Sequence, residues 1–184
     1  MNLVWAQAAL YEPPTVLGIL LRGYSPFHAL ALEAVQSPFI TGAPDDFFDL
    51  VLAVHICSRR WAHRFLIGGL AHKPLRRWGR RVRHDEIARG RGQFLTYLAE
   101  SWMTPEFWRS EGSGPLRAHW LYHLAAFGQR ELHMSEAEAW DCPIARLLCY
   151  RATVGETEGD KNLVTDEERR GIEMLKAAEK ANQN

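Results

Sequence analysis

Two histidines four residues apart, His119 and His123, come nearest in this chain to a metal-binding pattern. On a helix this spacing places both imidazoles on one face, as two ligands of one zinc ion require. The catalytic form of the motif needs a glutamate directly after the first histidine, and Trp120 stands there instead. No Cys-x-x-Cys pair or carboxylate at ligand spacing supports them, so we expect ordinary, partly buried histidines and assign no metal ligand.

Nucleophilic catalysis has no stronger candidates. The three cysteines are Cys57, Cys142 and Cys149, and Cys57 lies in an apolar segment where a thiol is inert. The sequence contains neither a Gly-x-Ser-x-Gly elbow nor a Gly-x-x-x-x-Gly-Lys-Ser/Thr phosphate loop. We therefore predict a protein that is not an enzyme, with no catalytic residue and no cofactor. The small, odd number of cysteines favours a reducing cell interior over a secreted disulfide framework.

The sharpest local anomaly is a run of five arginines within residues 76–83, with a tryptophan among them. Arginine suits phosphate groups, and an interleaved aromatic ring suits bases, so the run is a candidate nucleic-acid contact. A docking face for an acidic protein and a solvated connector are the alternatives. Of the seven tryptophans, Trp5 and Trp78 stand outside strong apolar patterns and are candidate partner contacts, whereas Trp61, Trp102, Trp120 and Trp140 fit packing between helices. The candidate contact residues are Trp5, Arg76, Arg77, Trp78, Arg80, Arg81 and Arg83.

The elements that must position these residues are mainly helical. Ser25-Pro26 reads as an N-cap followed by proline at the first helical position, and Asp45 or Asp46 caps the apolar helix that begins at Phe47. That helix is apolar almost all round, which is typical of a central, buried helix. Ser135 opens a capping box, and Gly128 is a candidate C-cap of the helix before it.

We predict a small multi-helix globular domain with an extended N-terminal arm and short irregular connectors. Residues 1–24 form the arm, with one short strand or extended stretch within 15–21, after Pro13-Pro14. Residues 25–155 form the helical domain, with a basic segment at 59–91. Residues 156–184 form a polar loop and a final, mostly polar helix.

Composition excludes several classes of protein. The chain has 184 residues, 47% hydrophobic and 24% charged, which rules out a disordered, collagen-like or disulfide-scaffold protein. No signal peptide or membrane span is visible, so we expect a cytosolic protein. The net charge of +0 is a cancellation: residues 59–91 carry 11 basic and 2 acidic residues, and residues 131–184 carry 7 basic and 12 acidic ones. A basic middle and an acidic end leave charged partners open.

Several segments together resemble small helical proteins of the tail-assembly-chaperone type, which are encoded in bacteriophage tail modules. The segments are residues 17–30, 33–39, 49–54 with 57–59, and 134–143 followed by Gly159-Asp160. None of them is a catalytic signature, and the family provides no site residues to transfer. The basic segment 59–91 is not a feature that we associate with the family.

The resemblance implies a non-enzymatic role in the host cytoplasm. Such chaperones bind the tape-measure protein, a long helical ruler, and keep it soluble until the tail-tube subunits assemble around it. One alternative is a structural component of the virion, in the tail or the head–tail connector. Another is a nucleic-acid-binding adaptor that uses residues 76–83. Homo-oligomerisation stays open.

Overall fold

In the described parts of the chain, α-helices of 4 to 18 residues are accompanied by a small β-hairpin near the N-terminus. The computed structural model describes residues 3–64, 84–102, 118–159 and 164, and in the C-terminal segment residues 168, 170–172, 174 and 176. In chain order the elements are α1 (Leu3–Leu10), β1 (Thr15–Val16), β2 (Ile19–Leu20), α2 (Pro26–Ala34), α3 (Pro38–Thr41), α4 (Phe47–Cys57), a 3₁₀ helix (Trp61–His63), α5 (His84–Ser101), α6 (Trp120–Glu131), α7 (Glu136–Asp141) and α8 (Ile144–Thr157). The predicted mainly α-helical class is confirmed.

Three of the helices begin at the caps that the sequence predicts. Ser25 is the N-cap of α2, with Pro26 at the first helical position. Asp46, rather than Asp45, caps α4, and its carboxylate accepts a hydrogen bond of 2.9 Å from the Asp49 amide. At α7 the Ser135 hydroxyl accepts from the Glu138 amide, and the Glu138 carboxylate accepts from the Ser135 amide at 2.8 Å. Each pair satisfies amide groups that a helix start otherwise leaves without partners.

Helix α2 lies at the centre of the domain. It contacts α3, α4, α6 and α7, and the small side chains of Ala29 and Ala31 are buried in the main core. Helix α4, predicted to be a central, buried helix, is largely buried, but Phe48 on its first turn is 61% exposed. The core also draws large apolar side chains from later helices, including Phe94 in α5, Leu121 in α6 and Leu147 in α8. Full burial of each such side chain contributes about 1.5–3 kcal/mol.

The N-terminal segment differs from the predicted extended arm. Residues 3–10 are helical, and α1 packs against α8. The predicted single strand is an antiparallel hairpin in which Thr15 faces Leu20 and Val16 faces Ile19. Val16, Leu21 and Tyr24 are at most 2% exposed within the main core. The segment therefore belongs to the packed domain, because burial of its own apolar side chains anchors it there.

Helix α5 reaches the hairpin through a glycine. A Cβ atom at Gly90 would lie 2.5 Å from Cδ2 of Leu17, on the turn between β1 and β2. Atoms that are not bonded do not approach so closely, so a residue without a side chain lets the hairpin and α5 pack together.

The helices near the C-terminus also extend past their predicted ends. Gly128 is not a C-cap: α6 continues to Glu131, and Gly128 is buried beside Ala139 and Leu147. Helix α8 runs to Thr157, so the predicted boundary between residues 155 and 156 falls inside it. Beyond it, residues 168, 170–172, 174 and 176 are helical. Among the helices of the described ranges, none combines the length and apolar character that crossing a membrane requires.

Candidate protein-interaction surface

Trp5, a predicted partner contact, lies between two helices. Its ring is partly buried against Ala8 of α1 and against Ala145 and Cys149 of α8, which form a small second apolar cluster. Part of the ring is therefore used to hold α1 on the domain. Only the remaining, accessible part of the indole is available to another molecule.

The six other predicted contacts, Arg76, Arg77, Trp78, Arg80, Arg81 and Arg83, lie outside the described residues. The flanks of the basic segment are described, and two of their guanidinium groups make contacts within the chain. Arg64 lies 4.4 Å from the ring centroid of Trp61, in a cation–π contact. Arg91 in α5 donates two hydrogen bonds to Asp45, at 2.7 and 2.8 Å. Hydrogen bonding from Arg91 lowers the pKa of the Asp45 carboxyl, which keeps the pair charged.

A stack of aromatic rings extends from the same Arg64. Trp61 and Trp140 are parallel within 10°, with ring centroids 4.7 Å apart, and Tyr122 meets Trp140 edge-on at 5.1 Å. The backbone amide of Trp61 donates a 2.6 Å hydrogen bond to Asp141, which fixes the 3₁₀ helix on α7. Trp140 is buried, as the helix pattern predicts, whereas Tyr122 at the outer end of the stack is 54% exposed.

A second aromatic group lies where α5 ends and α6 begins. Trp102 contacts Tyr24 at 5.8 Å and Trp120 at 5.6 Å between ring centroids. Packing between helices was predicted for both tryptophans, and both rings make such contacts. Trp102 nevertheless keeps 41% of its surface exposed.

His119 and His123 were expected to be partly buried, but both are exposed, and His119 is the N-cap of α6 rather than a residue within the helix. Its Nδ1 accepts from the Leu121 amide at 3.4 Å, and its Nε2 lies 2.8 Å from a Glu33 carboxylate oxygen on α2. Both ring nitrogens of His119 thus have partners within the chain. No group of three or more metal-ligating side chains occurs in the described parts of the chain.

The buried titratable groups are held in their neutral forms. Burial raises the pKa of the Cys57 thiol well above its usual range and that of Cys142 to about 11. His28 is 1% exposed, and burial lowers its pKa to about 4. Its imidazole joins the start of α2 to the chain beyond α4, with Nε2 at 2.9 Å from the Arg59 carbonyl and Nδ1 at 3.2 Å from the Ser25 amide. These groups stabilise the fold, and none of them is an activated nucleophile at neutral pH.

An open groove of about 370 Å³ lies between the start of α4 and the first half of α5, and we call it the α4–α5 groove. Its floor is apolar, and the Arg91–Asp45 pair and Asp46 add charge to its lining. The residues that line it are Pro44, Asp45, Asp46, Phe47, Leu50, Ile87 and Arg91. The exposed ring of Phe48 lies beside it, 5.7 Å from the Phe47 ring. An apolar concave surface flanked by an exposed aromatic side chain is suited to an apolar side chain of another protein.

The sequence pattern did not identify this groove. Phe47 and Phe48 are adjacent and equally apolar, so both were assigned to a buried helix. The available signal was the turn at Thr41-Gly42-Ala43-Pro44 before the cap at Asp46, because turns and the helix ends that adjoin them lie mostly at the surface.

The comparisons with known proteins give no match: no family model, no curated protein and no solved structure is similar enough to this chain to show its family.

Proposed function

We propose that this chain is a non-enzymatic protein of phage tail morphogenesis that binds other tail proteins during assembly, the tape-measure protein first among them. The proposal rests on the resemblance described above and on one structural observation, which is the α4–α5 groove with the exposed Phe48 beside it. A protein that shields a long amphipathic helix needs an accessible apolar surface of this kind.

The segments that carry the resemblance occupy neighbouring places in the fold. Residues 17–30 and 33–39 contribute the hairpin turn, β2, α2 and α3, residues 49–54 lie in α4, and residues 134–143 include α7. Helix α2 contacts α3, α4 and α7 directly. The resembling segments therefore form one packed unit in the central part of the domain. A resemblance within one packed unit supports the proposal better than matches scattered over separate surfaces.

The groove suits an amphipathic helix that inserts one or two apolar side chains. The half-buried side chains of Phe47 and Ile87 line the groove, with Leu50 at 1% exposure behind them, and the ring of Phe48 provides further apolar area at 61% exposure. The charge of Arg91 is compensated by Asp45, whereas Asp46 adds a negative charge to the lining, which a basic residue on the flank of a helix can meet. Anchors of this type contribute most of the binding energy in protein interfaces, and their loss typically costs about 2 kcal/mol or more.

Co-expression with the tape-measure protein encoded beside this chain tests the proposal. The expected result is a larger soluble fraction of the tape-measure protein when this chain is present. Phe48→Ser should weaken the affinity of this chain for the tape-measure protein at least about tenfold, since a loss of 1.4 kcal/mol in binding free energy is tenfold. The soluble fraction of the tape-measure protein should fall accordingly. An unchanged soluble fraction with and without this chain would contradict the proposed function.

Leu10→Ser is the matched control for Phe48→Ser. Leu10 is 76% exposed and ends α1, next to Tyr11, which lines a cavity with Ser101 at the far end of α5. Ile87 and Ser101 are 14 residues apart on α5, about 20 Å along the helix, so the cavity beside this control lies near the opposite end of α5 from the groove. Equal losses of binding for the two variants would show that the groove is not the binding site.

Mass spectrometry of purified phage particles distinguishes this function from the structural alternative. A chaperone should be absent from the mature particle. A tail or connector component would be present at a fixed copy number, and that result would replace the proposed function.

A further inference from the structure

Helix α5 carries a second apolar face besides the one that it buries in the core. This second face, which we call the α5 outer face, consists of Ala88, Gly92, Leu95, Ala99 and, directly after the end of the helix, Trp102. All five residues are exposed, and the two large ones, Leu95 and Trp102, are 40% and 41% exposed. They follow one another in steps of four, three, four and three residues, which is the spacing of a seam between two packed helices.

The outer face is separate from the surfaces of α5 that are already in use. At 3.6 residues per turn its positions span an arc of about 80° around the helix. The buried side chains of Phe94 and Tyr97 point to another side, and Arg91, which lines the α4–α5 groove, lies at the edge of the outer face. Single exposed apolar residues are normal on a protein surface, but a continuous row of them along one helix marks an interaction site.

The sizes of the side chains along the outer face match those of an antiparallel second copy. The first half contains only Ala88 and Gly92, the second half ends in Trp102, and Leu95 is the middle residue. When two copies of α5 run antiparallel with Leu95 on the two-fold axis, Trp102 of each copy lies opposite Ala88 of the other. A parallel pair would instead place the two Trp102 rings against each other and leave space beside Gly92.

The charges beside the outer face match the same arrangement. Arg89 lies six residues before Leu95 and Glu100 lies five residues after it, on the same flank of the helix. Arg89 is exposed, and Glu100 is partly exposed. Antiparallel helices bring the same flank of each copy together, so Arg89 of one copy meets Glu100 of the other, twice in the symmetric pair. Opposite charges at these positions select the partner and the orientation of packed helices.

We propose that the α5 outer face binds a second copy of this chain, with the two α5 helices antiparallel and related by a two-fold axis at Leu95. The contact is about 20 Å long, from the helical rise between Ala88 and Trp102. A single pair of helices of this length buries less than the roughly 1,200 Å² that stable complexes bury. The dimer should therefore be reversible, with a dissociation constant in the micromolar range.

Sedimentation velocity of the full chain, from micromolar to submillimolar concentration, tests the proposal. The unchanged protein should show a monomer–dimer equilibrium. Leu95→Glu places two carboxylates together on the axis and should weaken the dimer at least about tenfold. Gln93→Glu is the matched control, because Gln93 is exposed on the same helix about 160° away from Leu95. A chain that is monomeric at every concentration, or equal effects of the two variants, overturns the proposal.

The charge pairs provide a test by mixing. Arg89→Glu and Glu100→Lys each place like charges opposite each other, so each variant alone should dimerise more weakly than the unchanged protein. An equimolar mixture should restore the dimer, because both charge pairs of the mixed dimer are again opposite in sign. A mixture that dimerises no better than its components contradicts the proposed orientation and overturns the proposal.

Cross-linking locates the axis even if Leu95→Glu does not fold. Helix axes 8–10 Å apart place the facing Cα atoms about 4–6 Å apart, which is within reach of a disulfide. Leu95→Cys should therefore form a covalent dimer with oxidised glutathione, and Gln93→Cys should not. The three native cysteines are buried in the folded chain. A Leu95→Cys variant that stays monomeric under these conditions, or that is cross-linked no faster than Gln93→Cys, overturns the proposal.

Discussion

Acidification should destabilise this protein through His28, because its imidazole is buried in the neutral form. Nε2–H donates to the Arg59 carbonyl, and Nδ1 accepts from the Ser25 amide, so a proton added to Nδ1 would break the second bond. Burial lowers the pKa of His28 from 6.5 to about 4, and the hydrogen bond to Arg59 opposes that shift only in part.

The sign and the size of the effect follow from this shift. Above a pH of about 6.5 both the folded and the unfolded chain hold a neutral His28, so its contribution to stability is complete. As the pH falls from about 6.5 to about 4, only the unfolded chain takes up the proton, and the free energy of unfolding decreases. The lowering of the His28 pKa from 6.5 to about 4 corresponds to a loss of about 3 kcal/mol in the free energy of unfolding.

Urea denaturation of the unchanged protein and of His28→Gln between about pH 7 and about pH 4 measures this loss. Near pH 7 the variant should be less stable by roughly 1–3 kcal/mol, because the buried Arg59 and Ser25 groups lose good partners. The difference in the free energy of unfolding between the two proteins should shrink or reverse toward pH 4, because glutamine does not titrate. The carboxylates titrate alike in both proteins, so their contribution cancels in the comparison.

His55→Gln is a second comparison, because burial and the nearby Arg59 also lower the pKa of His55 to about 4. His55 is only partly buried, so its effect should have the same direction and be smaller. A stability difference between the unchanged protein and His28→Gln that is constant across this pH range would refute the reasoning.

Three further changes test the packing and the caps. In a urea titration, Gly90→Val should destabilise the protein by about 1–3 kcal/mol, because the valine side chain would overlap Leu17. Gly92 lies on the same helix with open space around it, so Gly92→Ala should stabilise the protein by up to about 1 kcal/mol in the same titration. Ser135→Ala should cost about 1 kcal/mol by loss of the α7 cap, and Ser135→Asp should restore most of it; equal stability of the alanine variant and the unchanged protein would contradict the cap. In thiol titration, the three buried cysteines should react with a disulfide reagent only after denaturant is added, so rapid labelling of the native protein would contradict their burial.

The features that the sequence predicted best are those that depend on neighbouring residues. The caps at Ser25, Asp46 and Ser135 are contained within four-residue patterns, and all three are confirmed. The mainly helical class follows from apolar spacing along single segments. The hydrogen bonds of a cap form between residues within four positions of each other, so they can be predicted without knowing the rest of the fold.

The features that the sequence missed depend on contacts between distant segments. Gly128 was interpreted as a helix end because glycine is common there, but its contacts with Ala139 and Leu147 explain it as a point of close helix packing. The sequence before Leu3–Leu10 contains no capping residue pattern that would predict a helix there. The position of this helix is set by its packing against α8, which is distant in the sequence. The α4–α5 groove is likewise formed by residues about 40 positions apart in the chain. The predicted contacts at residues 76–83 stay predictions.

The parallel indoles of Trp61 and Trp140 have a spectroscopic consequence. Two indoles whose centroids lie 4.7 Å apart couple their electronic transitions, and so do Trp102 and Trp120 at 5.6 Å. The part of the exciton signal in circular dichroism that disappears in Trp61→Phe therefore belongs to the Trp61–Trp140 pair. The two rings come from distant parts of the chain and meet only when the 3₁₀ helix docks on α7. The signal is therefore an intrinsic optical reporter of that docking, and it requires no attached label when partners are added or the pH is changed.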